Sequence, residues 1–307
     1  MHVAVCILTY HRPEGLRAAL QGIGALQPPD GAEVEVIVVD NDPDGSGRPV
    51  VTEEAARMAW PVRYEVEPRR GIAQGRNAAA AAALSGGADV VAFIDDDECP
   101  EPAWLAELLE ARRRTGAAVV TGPVLPVFDP PPPPWVVAGR FFDRPRFADL
   151  APIPYARTSN VLVDAALLRS PWPPFDERFG LTGGEDTHFF LRVRLAGARL
   201  VWADRAIVTE VVPPSRISTR WLLRRAYRRG NTLSLCLRDL QDSWPRRARR
   251  VAASLRHVLG GLGRAATSIW GGRAAAVRGA SQVAYGCGLA TGLLGIRYDE
   301  YRTIHGR

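Results

Sequence analysis

Short apolar runs alternate with longer segments of helical spacing over roughly the first 120 residues. The runs are rich in β-branched residues and several are almost continuously apolar, which is typical of strands covered on both faces. Residues 3–8, 34–39, 62–66, 89–94 and 117–121 are the predicted strands. Residues 13–26, 50–58, 72–84 and 102–114 are the predicted helices between them. This alternation predicts an α/β fold with a mixed, mainly parallel sheet flanked by helices.

The pattern changes after Gly122. Residues 123–154 include the uninterrupted Pro130–Pro134 run followed by Trp135, which predicts a long loop unable to join a sheet. An ordered functional loop and a disordered insertion share this composition, and both interpretations stay open. Strands are expected again at 158–163, 199–202 and 206–211, with a helix near 185–197, and the chain is helical from Ser218 onward.

The charge of the chain is divided unevenly along its length. Its 39 basic side chains are all Arg, and with 33 acidic ones they give a formal net charge of +6. Residues 1–212 contain 21 Arg and 29 acidic residues, a charge of −8, whereas residues 213–307 contain 18 Arg and four acidic residues, a charge of +14. We therefore expect one acidic domain over 1–212, where any site built from carboxylates would lie, and an Arg-rich helical appendage over 213–307.

Composition also limits the class and location of the protein. The 47% apolar and 23% charged residues are typical of a globular chain, and the four scattered cysteines do not have zinc-site spacing. We expect no signal peptide, because the residues after Met1 lack a charged n-region and an apolar h-region, and the uncharged stretch 279–296 is too polar for a good membrane span. The expected location is the cytoplasm, with a peripheral position on the inner face of the plasma membrane left open.

Polar side chains follow the predicted strands where parallel sheets bind ligands. Thr9, Tyr10 and Arg12 follow the first strand, and Asp40 follows the second. A carboxylate at that place can accept hydrogen bonds from a nucleobase or a ribose, but Asp40 also begins a turn-forming segment. Both interpretations of Asp40 remain open at this point.

Three consecutive carboxylates, Asp95, Asp96 and Asp97, follow the fourth strand. Like charges held this close need a compensating cation, because repulsion and burial both disfavour the charged form. Asp95 and Asp97 are two residues apart and point the same way in extended backbone. Their hard oxygen ligands suit Mg²⁺ or Mn²⁺ carrying a diphosphate, the alternative being a solvated acidic turn.

A second acidic motif, Gly183-Gly184-Glu185-Asp186, precedes a predicted helix. Glycines permit close approach of a ligand, and a carboxylate at this point is a candidate general base for a hydroxyl group. Negative side chains in the first turn are also favoured by the helix dipole alone. The spacing does not decide between these roles.

Five motifs in this order resemble family 2 inverting glycosyltransferases with the GT-A fold over about the first 210 residues. They are Cys6-Ile-Leu-Thr-Tyr-His-Arg-Pro13, Val38-Val-Asp-Asn41, Gly71-Ile-Ala-Gln-Gly-Arg-Asn-Ala78, Phe93-Ile-Asp-Asp-Asp97 and Gly183-Gly-Glu-Asp186. The resemblance implies that Asp186 is the catalytic base and that Asp95 and Asp97 hold the metal. It also implies a nucleotide-sugar site formed by Thr9, Tyr10, Arg12, Asp40, Arg76, Asp95 and Asp96. We place Gly184, Glu185 and Trp135 on the acceptor side.

The tail is similar to that of bacterial non-processive members that build exopolysaccharides such as succinoglycan. Tyr227-Arg-Arg-Gly-Asn-Thr232 and Gly295-Ile-Arg-Tyr-Asp-Glu-Tyr301 are the segments that carry this likeness. The resemblance implies transfer from a nucleotide sugar, with UDP favoured, to a saccharide or lipid-linked saccharide. We expect the basic helices to face an anionic membrane surface or an acceptor phosphate, and not nucleic acid, because the catalytic half is acidic.

Two other functions remain as alternatives. A sugar-phosphate nucleotidyltransferase would share the substrates and an acidic metal site, but it needs a Gly-rich phosphate loop after the first strand, where Thr9-Tyr-His-Arg-Pro13 stands. A catalytically inactive, membrane-associated scaffold of the same fold would not need the carboxylates that this chain keeps.

Overall fold

The structure is a computed structural model that describes residues 1–298, except for the side chains of Ile269 and Trp270. Residues 299–301 of the tail motif lie outside this range. The strands are β1 (His2–Thr9), β2 (Glu33–Asp40), β3 (Val62–Val66), β4 (Val90–Asp95), β5 (Glu98–Pro100), β6 (Val119–Thr121), β7 (Val124–Val127), β8 (Asn160–Asp164), β9 (Leu200–Trp202) and β10 (Val208–Val211).

Helices flank the strands along the whole described chain. They are α1 (Pro13–Gly24), α2 (Arg48–Ala55), α3 (Ile72–Ser85), α4 (Trp104–Thr115), α5 (Pro134–Gly139), α6 (Ala165–Arg169), α7 (Glu185–Leu195), α8 (Thr219–Leu240), α9 (Trp244–Ala266) and α10 (Ser268–Leu293). Two short 3₁₀ turns, Glu177–Phe179 and Pro214–Arg216, lie before α7 and α8.

The main sheet has seven strands in the order β3-β2-β1-β4-β8-β6-β9. β1 pairs in parallel with both β2 and β4, and β8 is antiparallel to β4 and β6. This mixed, mainly parallel sheet confirms the fold class predicted from the sequence. Thr9 is the register partner of Asp40, and Leu8 is the partner of Asp95, so three strand ends with polar residues lie side by side.

The alternation of residues along β1 explains how the sheet is buried. Val3, Val5 and Ile7 belong to the apolar core on one face, whereas Ala4 and Cys6 belong to the core on the other face. Successive side chains of a strand point to opposite faces, so an uninterrupted apolar run is what a doubly covered strand requires. The sheet is therefore a rigid platform for the polar residues at its carboxyl edge.

A second, three-stranded sheet corrects the prediction that residues 123–154 form a loop outside any sheet. β7 lies inside that segment and pairs in parallel with β10, which also pairs antiparallel with β5. α5 follows within the same segment, directly after the proline run. Pro126 is tolerated because β7 is an edge strand of the small sheet.

The three tail helices pack closely through glycines. α10 lies against both α8 and α9. A Cβ on Gly288 would lie 2.0 Å from the carbonyl oxygen of Tyr227, and one on Gly230 would lie 2.2 Å from that of Tyr285. The Gly-rich stretch that is too polar for a membrane span is thus a helix whose glycines allow close backbone contact. Within residues 1–298, no helix is both long and apolar enough to cross a membrane.

An aromatic cluster joins the tail to the loop after β7. Its buried members are Val136, Phe142, Val212, Leu222 and Val277. Phe142 stacks on Trp221 at a centroid separation of 5.9 Å. The tail is therefore attached to residues 1–212 through a shared apolar core.

Candidate active site

A buried arginine on α3 joins the two acidic motifs. Arg76 is 5% exposed, and it donates to Asp95 Oδ1 at 3.0 Å and to Glu185 Oε1. The guanidinium thereby connects the end of β4 with the first turn of α7. A buried charge is tolerated only with such partners, because its desolvation is otherwise very costly.

Glu185 faces this arginine and not an open surface. Its side chain is 1% exposed, and its Oε2 atom has no hydrogen-bond partner among the described residues. The prediction that Glu185 contacts the acceptor does not fit this position, because Arg76 and the surrounding core cover the carboxylate. Glu185 instead fixes the start of α7.

Asp186, the next residue, has a different environment. It is partly exposed, and its Oδ1 atom accepts hydrogen bonds from Thr187 N at 2.5 Å and from Thr187 Oγ1 at 3.2 Å. Burial is the main cause of the raised pKa of Asp95, and the charge of Asp186 adds to it, while Arg76 joins the end of β4 to the helix turn that contains Asp186. The structure therefore brings the predicted base and the predicted metal carboxylate together.

Gly184 lies beneath helix α8. Its φ of 98° is in the left-handed region, and a Cβ there would lie 2.0 Å from Thr232 Cγ2. Its carbonyl oxygen accepts a contact from Cys236 Sγ at 3.6 Å. Gly184 thus permits the close approach of the tail to the loop that precedes Asp186, which is a packing role and differs from the predicted acceptor contact.

Asp96 and Asp97 are compensated by two arginines. Arg12 Nη1 donates to Asp96 Oδ1 at 3.0 Å and to Asp97 Oδ2 at 3.1 Å, and Arg216 Nη2 donates to Asp97 Oδ2 at 3.0 Å. Thr9 Oγ1 donates to Asp96 Oδ2 at 2.9 Å. These guanidinium groups, with Arg76, supply part of the positive charge that was expected from a metal ion alone.

Burial raises the pKa values of the carboxyl groups around this turn. Desolvation is the largest cause for Asp95, Asp96 and Glu98, and the charge of Asp97 adds to the increase in each of them. Arg76 opposes the increase at Asp95, and Arg12 opposes it at Asp96. An acidic cluster of raised pKa at a ligand-binding edge is an indicator of a functional site.

The donor atoms present fit a divalent cation with an oxygen preference. Asp95 Oδ2 and Asp97 Oδ1 accept no hydrogen bond from the other described residues, so each carboxylate keeps one oxygen for a ligand. Mg²⁺ and Mn²⁺ take such ligands and complete their shells with water and phosphate oxygens. The Asp-x-Asp pair is therefore chemically suited to a metal–diphosphate.

A different cluster contains three potential metal ligands. Within the described part of the chain, Asp176, His188 and Asp239 are the one such set of three whose ligand atoms all lie within 4.8 Å of one another. Arg178 Nη2 donates to both carboxylates, and His188 Nε2 lies 2.8 Å from Asp239 Oδ2. With a guanidinium already between the acids, this set is an ion-pair network that attaches α8 to α7.

Asp40 organises the loop after β2. It is fully buried, and its carboxylate accepts hydrogen bonds from Tyr64 Oη at 2.8 Å and from the backbone nitrogens of Gly47 and Asp42 at 2.7 and 3.0 Å. These hydrogen bonds hold the backbone of the turn after β2 and attach it to Tyr64 of β3. The structure shows that Asp40 organises this turn, and its contact with a nucleotide stays a prediction.

Two other residues predicted from the sequence lie in contrasting places. The Tyr10 ring lies 4.3 Å from the ring of His11, with the Arg70 guanidinium 5.3 Å above it, at the carboxyl edge of the sheet. Trp135 packs in the aromatic cluster, with Phe141 as a ring neighbour and the Arg273 guanidinium 4.2 Å above its ring. The structure brings Tyr10 to the site edge but places Trp135 within the tail contact.

A group of arginines lies on the Asp186 side of the site, and the basic tail predicted from the sequence accounts for only part of it. Arg157 and Arg225 are half-buried, and burial is the main cause that lowers their pKa values, that of Arg225 to about 9. The charges of Arg144 and Arg229 lower both pKa values further, and Asp186 opposes this at Arg157. Arg225 and Arg229 belong to α8, whereas Arg144 and Arg157 precede β8, so only the folded chain identifies the arginine cluster Arg144, Arg157, Arg225 and Arg229.

Replacing Arg76 by Met should lower the free energy of unfolding by about 3–5 kcal/mol, because Glu185 is left as an unpaired buried charge. The double variant Arg76→Met/Glu185→Leu should regain most of this loss. Denaturant unfolding of the single and double variants measures both values. Additive losses would show that the two side chains do not act as a pair.

Comparisons with known proteins agree with this geometry. Residues 4–170 match the Glycosyl transferase family 2 model, and residues 90–294 match Glycosyl transferase family group 2. The chain is similar to the succinoglycan biosynthesis protein ExoM of Rhizobium meliloti (strain 1021), with 35% identity over 250 residues that cover 80% of this chain and 79% of ExoM. It is 28% identical to the pre-mycofactocin glycosyltransferase of Mycobacterium tuberculosis, covering 79% of this chain and 49% of that protein.

Solved structures show the same fold at lower identity. The mannosyltransferase PcManGT from Pyrobaculum calidifontis, in complex with GDP-Man and Mn²⁺, has a TM-score of 0.63 at 20% identity and covers 95% of this chain and 86% of its own. S. aureus TarS 1-349 in complex with UDP has a TM-score of 0.54 at 16% identity and covers 97% and 93%. Together with the family match, these findings show that the chain belongs to glycosyl transferase family 2 and is a glycosyltransferase with a GT-A-like fold.

Proposed function

We propose that the protein transfers one sugar from a nucleotide-sugar donor to a hydroxyl group of a saccharide or lipid-linked saccharide, with inversion and without processive extension. The observation that carries this proposal is that Arg76 binds both Asp95 and Glu185, which brings the first turn of α7, with Asp186, to the end of β4. The similarity to ExoM supports a place in exopolysaccharide assembly.

The acidic turn is the proposed donor site. Asp95 and Asp97 would hold Mg²⁺ or Mn²⁺ on the donor diphosphate, and Thr9, Tyr10 and Arg12 border the nucleoside end. When bound, the metal stabilises negative charge on the departing diphosphate. UDP sugars are the first donors to test, with GDP sugars second, since structural neighbours contain UDP and GDP-Man.

Asp186 is the proposed general base. Its Oδ1 atom is held by Thr187, which leaves Oδ2 to accept the proton of the acceptor hydroxyl. The acceptor oxygen then bonds to the anomeric carbon from the face opposite the diphosphate, while the bond from that carbon to the diphosphate oxygen breaks. The sugar configuration inverts from α to β.

The arginine cluster is an argument for an acceptor that carries an anionic group. Arg157 and Arg225 form no ion pair with any carboxylate of residues 1–298, and burial together with the charges of Arg229 and Arg144 lowers their pKa values. A bound phosphate or carboxylate would relieve both costs, and the guanidinium fork matches phosphate geometry. A lipid-linked diphosphate is the acceptor group that we propose, which places the reaction at the inner face of the plasma membrane.

The two alternative functions are distinguishable by product. A nucleotidyltransferase would release pyrophosphate from a nucleoside triphosphate and a sugar phosphate, whereas the proposed enzyme releases a nucleoside diphosphate from a nucleotide sugar. An inactive scaffold would release neither.

Asp186→Asn should reduce sugar transfer by about 10²–10⁴-fold while nucleotide affinity stays unchanged, because only the proton acceptor is removed. Transfer is measured as nucleoside diphosphate release, and binding is measured by calorimetry. Asp30→Asn, at an exposed position, is the matched control and should behave as the parent protein. Equal loss of transfer and of binding in Asp186→Asn would count against its role as base.

A UDP sugar at about 100 times its Kd should raise Tm by roughly 5–10 °C, since ligand binding stabilises the folded state by mass action. Mn²⁺ should increase this shift in the parent protein. Asp97→Asn should remove the Mn²⁺-dependent increment, measured against the Tm of the ligand-free variant, because that Tm itself changes when the ion pairs to Arg12 and Arg216 are lost. The metal assignment fails if Mn²⁺ has the same effect in both proteins.

Arg157→Gln should raise the KM for a diphosphate-bearing acceptor by about 10–100-fold, because a charge-assisted hydrogen bond is lost. The kcat and the donor affinity should stay near the parent values. With a neutral acceptor that lacks the phosphate, parent and variant should be equal. Arg224→Gln, on the exposed side of α8, is the control. A similar KM increase on the neutral acceptor would contradict the anionic subsite.

A further inference from the structure

Helix α9 carries an apolar face that the rest of the described chain does not cover. Trp244 is 76% exposed, Leu255 is 56% exposed and Leu259 is 66% exposed. Val251 and Leu262 are also about half exposed, and all five residues belong to α9. Exposed large apolar residues scattered singly are ordinary on a protein surface, but a contiguous row of them indicates a binding surface.

These residues share one side of the helix. Trp244, Val251, Leu255, Leu259 and Leu262 are separated by seven, four, four and three positions, which is the spacing of a single helical face. The row extends for about 27 Å at the rise of an α-helix. We call these five residues the α9 apolar face.

A different side of α9 attaches the helix to the protein. Ser254 Oγ donates to the carbonyl oxygen of Gly286 at 2.7 Å, and a Cβ on Gly261 would lie 2.7 Å from the carbonyl oxygen of Gly279. Ser254 and Gly261 are buried against α10. The α9 apolar face is therefore not the packing surface of the helix, and it remains available with the tail fully folded.

Arginines border this face. α9 contains six Arg and no acidic residue. Arg247 and Arg250 pair with Asp242 at the start of the helix. Within residues 1–298, Arg246, Arg249, Arg256 and Arg264 form no ion pair. Arg249 and Arg256 follow the apolar row along one edge, so apolar and cationic rows lie side by side.

We infer that α9 lies in the plane of an anionic membrane surface, with its apolar face among the acyl chains and its arginines at the lipid phosphates. A helix with a strong apolar face, a Trp, several Leu and an Arg-rich border has the composition of an interfacial helix. This inference rests on the membrane-side location proposed above, and it names the element that makes the contact.

The charge pattern favours lipid over a second copy of this chain. Two copies joined through the α9 apolar face would bring two arginine rows of like sign together, with no carboxylate on α9 to pair them. Anionic headgroups supply the opposite charge along the whole row, and each Arg near such a surface adds to binding. The helix also meets the surface as a rigid element, because α10 supports it from another side.

The test is flotation of the full chain with phosphatidylcholine vesicles, with and without phosphatidylglycerol. The parent protein should float with the anionic vesicles. L255Q/L259Q should weaken this binding by at least about tenfold, because two apolar side chains no longer enter the interface. The matched control L195Q/L294Q changes two leucines of comparable exposure outside α9, at 45% and 74%, and should bind as the parent protein does.

A charge variant separates the two parts of the interaction. R249Q/R256Q should also weaken binding to anionic vesicles by about tenfold or more, and added salt should weaken the binding of the parent protein in the same direction. Far-UV circular dichroism and Tm of each variant should match the parent, because the changed side chains are exposed.

Three results would overturn the inference. Equal loss in L255Q/L259Q and L195Q/L294Q would show that α9 has no special role. A dimeric parent that becomes monomeric in L255Q/L259Q, measured by light scattering, would assign the face to a second copy. A parent protein that floats with neither vesicle would reject the membrane location as well, whereas transfer to a water-soluble acceptor would still test the proposed reaction separately.

Discussion

The buried guanidinium of Arg76 is the interaction on which the site depends. Its two carboxylate partners come from the end of β4 and the first turn of α7, which are about 90 residues apart in the sequence. A buried cation without these partners would be strongly destabilising, so the same ion pairs that stabilise the core also hold the parts of the site together. Asp186 inherits its position from this requirement, since it is the residue after Glu185.

The tail is part of the site as well as an appendage. Arg216 from the turn before α8 donates to Asp97, and Asp239 of α8 contacts His188 of α7. These contacts cross the compositional boundary near Val212 that the charge distribution indicates. The boundary near Val212 is therefore a change in amino-acid composition. It does not separate the site, because Asp97 binds Arg12 from one side of the boundary and Arg216 from the other.

The strands and helices of the main sheet were predictable because their patterns are long. β-branched runs such as residues 34–39 are specific for covered strands, and they occur where β2 lies. β5 and β7 were missed because each has three or four residues and each contains a proline, so no period is visible. Pairing with β10 makes them strands, and that partner comes more than 80 residues later along the chain.

The sequence motifs identified the carboxylates of the site, but they did not show which way each side chain points. Glu185 and Asp186 are adjacent acidic residues in different environments, since Glu185 is buried against Arg76 and Asp186 is partly exposed. No local sequence pattern distinguishes the two. No sequence pattern distinguishes Arg157 and Arg216 from the other arginines, because all 39 basic residues of the chain are Arg. Their roles follow from tertiary neighbours alone.

The close contact between Gly184 and Thr232 has a consequence for engineering within the family. The loop before the proposed base and the middle of α8 fit only as a matched pair, because neither a side chain on Gly184 nor a bulkier residue at Thr232 leaves room for the other. A chimera that exchanges the helical tail between relatives therefore has to carry the loop with it. The unit of exchange is the loop together with the helix, even though some 50 residues of sequence separate them.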